Sequence, residues 1–174
     1  DRHRWPLLRD LEQACALLVA EGRRVRATIF AVNWPNDEAV QQEKFHYVEF
    51  ARCPNHDDLV TVLRGADVLY LPERFDETVD DIKLCVSSKA HLFMFSGKPI
   101  IVYSALETGI AQYARRDQWA LLVDQRNPEM LSCAIHDIVS DDRIRNRLVF
   151  HAQCTVQQNH DLVTIQTRFK EMLS

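Results

Sequence analysis

The sequence predicts an α/β fold with a doubly wound, Rossmann-like parallel sheet in a three-layer α/β/α arrangement. Short apolar runs rich in β-branched residues alternate with amphipathic helical segments, and the connections between them are short. Parallel neighbours need crossover connections, and the crossover helices then cover both faces of the sheet. With 174 residues and 47% hydrophobic content, the chain can bury the core of one domain. We therefore predict a single domain over residues 1–174.

The order of the elements follows from hydrophobic periodicity and from turn residues. Strands are expected at 25–32, 45–50, 67–71, 99–103 and 120–124. Helices are expected at 6–19, after residue 58, and at 91–96, 107–115, 128–139, 141–157 and 161–173. In such sheets the ligand binds outside the carboxyl ends of the strands, so the segments that follow the strands are where a site is expected.

Composition excludes several classes of partner. The chain has 21 basic and 25 acidic residues and a net charge of −4, so it lacks a basic field for a nucleic-acid backbone. Its five cysteines are scattered without a Cys-x-x-Cys pair, which is typical of reduced core thiols. No apolar run approaches the roughly 20 residues that span a bilayer. We predict a cytoplasmic protein without a nucleic-acid partner, and leave open peripheral membrane association through a longer chain.

The glycines argue against a classical dinucleotide or P-loop site. Only Gly22, Gly65, Gly97 and Gly109 occur, and no two of them fall within one Gly-x-Gly-x-x-Gly or Walker-type window. No cofactor is predicted.

Two polar clusters resemble metal or acid/base sites in composition only. His56 lies beside Asn55 and Asp57, but helix capping explains this group better than metal binding does. The carboxylates at 76–81 are typical of a solvated loop. We predict no metal site and name no catalytic residue. His91, on an apolar helix, is expected to be a hydrogen-bonded packing residue.

The segment from Ser87 to Gly97 is the most informative in the chain. Ser88 can cap a helix whose free N–H groups carry the positive end of the dipole, and Lys89 adds a mobile cation there. Ser87, Ser88 and Lys89 together suit a diphosphate. The alternative is that Ser88 is only a cap and Lys89 only a solvated lysine.

Four motifs occur in a fixed order between Gly65 and Leu131. They are Gly-Ala-Asp-Val-Leu-Tyr-Leu-Pro at 65–72, Ser-Lys at 88–89 with Gly-Lys-Pro-Ile-Ile at 97–101, Thr-Gly at 108–109, and Leu-Leu-Val-Asp at 121–124 with Pro-Glu-Met-Leu at 128–131. In this order and spacing the stretch resembles the C-terminal, nucleotide-sugar-binding domain of family 4 (group 1) glycosyltransferases. The resemblance implies one half of a GT-B fold, in which two Rossmann-like domains face each other.

The resemblance also implies a ligand and a set of binding residues. It implies that a nucleoside diphosphate sugar is bound, that the sugar is transferred with retention to a glycan or lipid, and that a missing N-terminal domain holds the acceptor. The donor-binding residues that it suggests here are Lys89 with Ser87 and Ser88, Glu73 and Arg74 after the third strand, backbone groups near Asn55, and Gly109.

This sequence departs from the family pattern in two places. Many members carry two glutamates eight positions apart, the second of which contacts the donor ribose, and here those positions are Leu84 and Leu92. The family domain also opens with a strand and a Gly-Arg turn followed by a lysine, for which only Arg4 could substitute. Two alternatives therefore stay open: a non-catalytic nucleotide-sugar-binding or regulatory module, and half of a sugar-nucleotide epimerase.

Overall fold

The computed structural model describes residues 5–31, 44–53 and 55–173. The strands are β1 Ala27–Ala31, β2 Val48–Arg52, β3 Leu69–Pro72, β4 Ile100–Tyr103 and β5 Leu121–Val123. The helices are α1 Trp5–Ala20, α2 His56–Gly65, α3 Lys89–Ser96, α4 Gly109–Asp117, α5 Pro128–Ser140, α6 Asp142–His160 and α7 Leu162–Leu173, with a 3₁₀ helix at Glu77–Ile82.

All strand pairs in the described residues are parallel. Strand β1 pairs with β2, with Ala27 opposite Val48, and β4 lies between β3 and β5, with Ile100 opposite Leu69 and Ile101 opposite Leu121. Within the described ranges no hydrogen-bonded pair joins the β1–β2 ladder to the β3–β4–β5 ladder. The expected parallel sheet is therefore present as two ladders.

Strand β4 is buried throughout and shows how the layers are built. Ile100 and Val102 belong to a core cluster with residues of α2, α3, α4 and α6, whereas Ile101 and Tyr103 belong to a cluster with residues of α1 and α5. Because successive side chains of a strand point to opposite faces, helices cover both faces of this ladder. The predicted three-layer, Rossmann-like α/β fold is confirmed.

The second strand begins three residues later than predicted, at Val48 instead of Phe45. At this point the Glu12 carboxylate of α1 accepts hydrogen bonds from the backbone N–H groups of His46, Tyr47 and Val48 at 2.7–3.0 Å. A side chain thus satisfies the backbone donors that lead into the strand. The first strand ends at Ala31, and the predicted Val32 lies outside the described residues, as does Arg4.

A second α1 carboxylate reaches the other ladder. The buried Asp10 accepts hydrogen bonds from the Tyr103 hydroxyl of β4 at 3.1 Å and from Arg126, after β5, at 2.9 Å. Burial, together with the neighbouring Asp10 carboxylate, raises the pKa of Tyr103, so its hydroxyl stays a donor. The hydrogen bond to Asp10 raises the pKa of Arg126. Helix α1 therefore connects the two ladders through Glu12 and Asp10.

The predicted helix ends are found at several positions. Asn55 caps α2 through the Asp58 N–H at 2.9 Å, Asn127 caps α5 ahead of Pro128, and Gly97 ends α3 with φ 73°. None of the described helices is both long enough and apolar enough to cross a membrane.

The buried Asp10 network generates a test of stability. In Asp10→Asn, the charge-assisted bond to Arg126 weakens and a buried amide N–H₂ group needs an acceptor, so we expect the free energy of unfolding to fall by about 1–3 kcal/mol. Urea unfolding at pH 7 measures this change. The matched control is Glu49→Gln, at an exposed carboxylate of β2 that pairs with Arg26 and should change stability by less than about 0.5 kcal/mol. Equal losses of unfolding free energy in both variants would show that the Asp10 hydrogen bonds do not stabilise the fold.

Candidate functional site

The chain leaves β3 at the carboxyl edge of the three-stranded ladder and stays attached to the end of β4. The Glu73 N–H donates to the Tyr103 carbonyl at 3.0 Å, and the Ala105 N–H donates to the Arg74 carbonyl at 3.1 Å. These two bonds extend the pairing by one step beyond the strands. Glu73 is thereby fixed at the edge where ligands bind in sheets of this kind.

A cleft of about 300 Å³ opens at this edge. Its lining combines one carboxylate, one ammonium group, two hydroxyls, a thiol and two apolar side chains; the residues are Glu73, Ile82, Cys85, Val86, Ser87, Ser88 and Lys89. Lys89 is exposed and is the first residue of α3, so its charge lies beside the free N–H groups of that helix. Four predicted site residues, Glu73, Ser87, Ser88 and Lys89, therefore lie around one cleft.

The predicted capping role of Ser88 is wrong. Its backbone is already helical, with φ −59° and ψ −19°, and its side chain makes no capping hydrogen bond. A capping side chain normally extends from a residue in the β region, where its oxygen can reach the N–H groups two and three positions on. The Ser87 carbonyl instead accepts from the Ala90 N–H at 3.0 Å. The Ser88 hydroxyl is exposed at the cleft and is not used by the helix.

Two predicted site residues lie outside this lining. The Arg74 guanidinium donates to Thr78 at 2.8 Å and lies 4.0 Å from Asp81, so it braces the 3₁₀ segment. Asn55 uses its side-chain oxygen to cap α2. Of the residues described, neither lines the cleft.

Gly109, the first residue of α4, packs directly against the loop that enters the cleft. A Cβ atom on Gly109 would lie 2.7 Å from the Cys85 carbonyl oxygen, 2.8 Å from that of Lys83 and 3.0 Å from the Cys85 nitrogen. Gly109 is therefore placed behind the lining residue Cys85 rather than in the lining itself.

The two leucines at the positions of the family glutamates have opposite environments. Leu84 is 96% exposed and lies in the loop before Cys85, whereas Leu92 is partly buried against the core cluster on the α2, α3, α4 and α6 side. Neither lines the cleft among the described residues.

Sequence reasoning missed Ile82, Cys85 and Val86 as lining residues. A signal was present, because these residues interrupt a polar stretch between the end of a strand and the start of a helix.

Two carboxylates of the preceding acidic loop have local partners: Asp76 caps the 3₁₀ helix through the Thr78 N–H at 3.0 Å, and Asp80 pairs with Lys83 at 2.8 Å. Throughout 5–31, 44–53 and 55–173, no three His, Cys, Asp or Glu side chains are placed to hold a metal ion. The side chain of His56 lies outside the described residues.

Comparison with known proteins finds a likeness in fold alone. No family model matches the chain, and no curated protein matches it. The crystal structure of WaaG, a glycosyltransferase involved in lipopolysaccharide biosynthesis, superposes with a TM-score of 0.65 at 15% identity, covering 100% of this chain and 45% of that one. Trehalose 6-phosphate synthase from Burkholderia multivorans gives a TM-score of 0.62 at 13% identity, covering 95% of this chain and 38% of that one. The chain thus spans less than half the length of either structure.

A second polar cluster lies between α3, α4 and the end of α6. The rings of His91 and His160 are 4.7 Å apart, and His160 Nε2 shares a hydrogen bond of 2.8 Å with the Tyr113 hydroxyl. The Asn159 amide also donates to that hydroxyl, at 3.3 Å. His91 packs as expected, but the expected hydrogen bond is missing, since its buried Nδ1 has no partner among the described residues.

The cluster makes stability depend on pH. Burial, and in second place the neighbouring His91, lower the pKa of His160 below its ordinary value near 6.5. The unfolded chain therefore takes up this proton at a higher pH than the folded chain does. The contribution of His160 to stability is complete above about pH 6.5 and is lost as the pH falls toward the lowered folded-state pKa.

We expect the stability of His160→Gln to fall less between pH 8 and pH 5.5 than that of the parent protein, because glutamine does not titrate. Urea unfolding at several pH values measures both slopes. The difference between the two proteins at pH 8 serves as the control for packing changes that do not depend on pH. Parallel curves across the whole range would show that His160 is not the titrating group.

Proposed function

We propose that this chain is the donor-binding part of a glycosyltransferase and that the cleft after β3 binds a nucleoside diphosphate sugar. The observation that carries the proposal is that Lys89, a cation at the start of α3, lines the same cleft as Glu73 at the carboxyl edge of a parallel ladder. The fold shared with WaaG supports this class of activity, as do the motifs between Gly65 and Leu131.

Each polar group of the cleft has a counterpart in such a ligand. Lys89 and the free N–H groups of α3 suit the diphosphate, and Ser87 and Ser88 supply hydroxyl donors beside them. When the glycosidic bond breaks, negative charge builds up on the departing diphosphate, and a cation fixed in advance at that point stabilises it. This electrostatic assistance requires no general acid for the leaving group. Retention of configuration is part of the proposal through the family resemblance.

Glu73 is proposed to take the role of the missing ribose clamp. Glu73 is the only carboxylate in the lining of the described cleft. An ionised carboxylate accepts hydrogen bonds, so it pairs well with the hydroxyls of a ribose or of the transferred sugar. For Asn55 only backbone groups enter the proposal, at the base, because its side chain is used as a cap. Arg74 is proposed to support the loop that carries Glu73.

The acceptor is proposed to bind to a second domain that lies outside this chain. The chain covers only 45% and 38% of the two structures with which it shares its fold, which leaves room in proteins of that size for another domain. We propose a cytoplasmic enzyme, and a membrane contact through the complete protein would suit a lipid acceptor.

Two other functions remain as alternatives. The leucines at 84 and 92 favour a non-catalytic module that binds nucleotide sugars for regulation. The shared fold would also accommodate half of a sugar-nucleotide epimerase. An epimerase converts the sugar without any acceptor, so analysis of the products separates it from a transferase.

Replacement of Lys89 tests the proposed diphosphate site. In Lys89→Ala we expect the binding of UDP or GDP, measured by calorimetry, to weaken by about 1–3 kcal/mol, the range for charge-assisted contacts. Lys98→Ala is the matched control, because Lys98 follows the opposite end of α3 and should leave the affinity unchanged. Equal affinities for all three proteins would remove the argument for this cleft. A loss of binding in EDTA that manganese restores would show that a metal ion, rather than Lys89, holds the diphosphate.

If this chain binds the donor and a second domain binds the acceptor, the 174-residue chain alone should have weak transferase activity. It can hold the nucleotide, but without an acceptor domain it neither orients an acceptor hydroxyl nor excludes water, and orientation alone supplies several kcal/mol of such a barrier. We therefore expect nucleotide binding with almost no sugar transfer in a radiolabelled donor assay with glycan and lipid acceptors. Efficient transfer by the chain alone would mean that its site is complete. Conversion of the donor sugar without acceptor would favour the epimerase.

A further inference from the structure

Gly109 differs from the other three glycines in what would oppose a side chain at its position. Gly22 and Gly97 have positive φ angles, which a glycine adopts without strain, and a Cβ on Gly65 would meet open space. Gly109 has no positive φ, yet its Cβ would lie only 2.7–3.0 Å from backbone atoms of Lys83 and Cys85. The constraint at Gly109 is therefore the close approach of another backbone segment.

The turn on which that segment rests is held rigidly. Ser104 and Thr108 are both completely buried, and their hydroxyl oxygens are 2.7 Å apart. The Thr108 hydroxyl also donates to the Ala105 carbonyl at 2.9 Å and accepts from the Ala111 N–H at 3.3 Å, which caps α4. We call residues 104–109 the platform. Its buried polar groups have partners, so it is a firm support.

The segment that rests on the platform leads directly into the cleft. The Cys85 N–H donates to the Ile82 carbonyl at 3.0 Å, which makes a turn at 82–85, and Cys85, Val86, Ser87, Ser88 and Lys89 then line the cleft without a break. Leu84 within this turn is 96% exposed, so its side chain does not anchor the segment. The close approach of its backbone to Gly109 joins the turn to the folded body.

We infer that the platform sets the position of the cleft loop, residues 82–88, and that Gly109 is a positioning residue that touches the loop backbone and not the ligand. A methyl group at position 109 lifts the loop off α4, because backbone atoms cannot move aside as the end of a flexible side chain does. The displacement passes to Ser87, Ser88 and Lys89. The effect of this displacement on nucleotide affinity rests on the proposed function, whereas the effect of Gly109 on the position of the loop does not.

Hydrogen exchange of Gly109→Ala, followed by mass spectrometry of peptides, tests the inference. We expect the amides of residues 82–88 to exchange about tenfold faster than in the parent, while those of α5 keep their rates. Gly65→Ala is the matched control and should leave the rates of 82–88 unchanged. A general loss of stability would instead speed exchange in α5 as well. Unchanged rates at 82–88, or a uniform increase in all peptides, would overturn the positioning role.

Ser104→Ala provides a milder variant in case Gly109→Ala does not fold. It removes one hydroxyl from the platform and leaves the Thr108 cap in place, so we expect a smaller increase, about threefold, confined to residues 82–88. No increase there would contradict the inference. Alkylation of the exposed Cys85, compared with that of the exposed Cys133 of α5, gives a second local readout and should rise at Cys85 alone.

Calorimetry with UDP or GDP separates the two proposals. If the loop moves and nucleotide affinity falls, both stand. Faster exchange at 82–88 with unchanged affinity in both platform variants would support the positioning role and would count against the cleft as the nucleotide site.

Discussion

The two carboxylates of α1 provide the connection on which the rest of the fold depends. Asp10 accepts hydrogen bonds from Tyr103 and Arg126, which belong to the three-stranded ladder and the segment after it. Glu12 accepts hydrogen bonds from backbone N–H groups ahead of β2. Among the described strands, no hydrogen-bonded pair joins the two ladders. Polar contacts through α1 and a common apolar cluster hold the ladders in position instead. Asp10 is buried, and a buried charge that has lost its partner is costly, which makes the Asp10 contact specific for one arrangement.

The candidate site depends on the burial of β4 and lies at the carboxyl edge of the three-stranded ladder. Burial of β4 on both faces fixes the ends of β3 and β4 side by side, and the turns that follow them meet at one edge. Glu73 comes from the first of these turns, and the platform comes from the second. The cleft loop lies between them, so its shape depends on backbone packing more than on its own side chains.

The sequence predicted most of the fold because the evidence for it is local. Helix caps at Asn55 and Asn127 and the stop at Gly97 depend on near neighbours, and the apolar runs mark the strands. Long-range contacts could not be predicted, such as the bonds that Glu12 accepts from residues more than 30 positions away, ahead of β2. Some of the residues that line the cleft were predicted. Lys89 and Glu73 follow from their places at element ends, whereas the role of Gly109 depends on a backbone from another segment.

Leu84 and Leu92 have different environments, so a glutamate would have a different effect at each of the two positions. A carboxylate at position 84 would remain hydrated, since that side chain is 96% exposed, and the fold would accept it without loss of packing. At position 92 the same change would bring a charge against the apolar cluster that contains Met94 and Val156. An engineered chain could therefore take a glutamate at position 84 in one step, whereas a glutamate at position 92 would first require a more polar surrounding within that cluster.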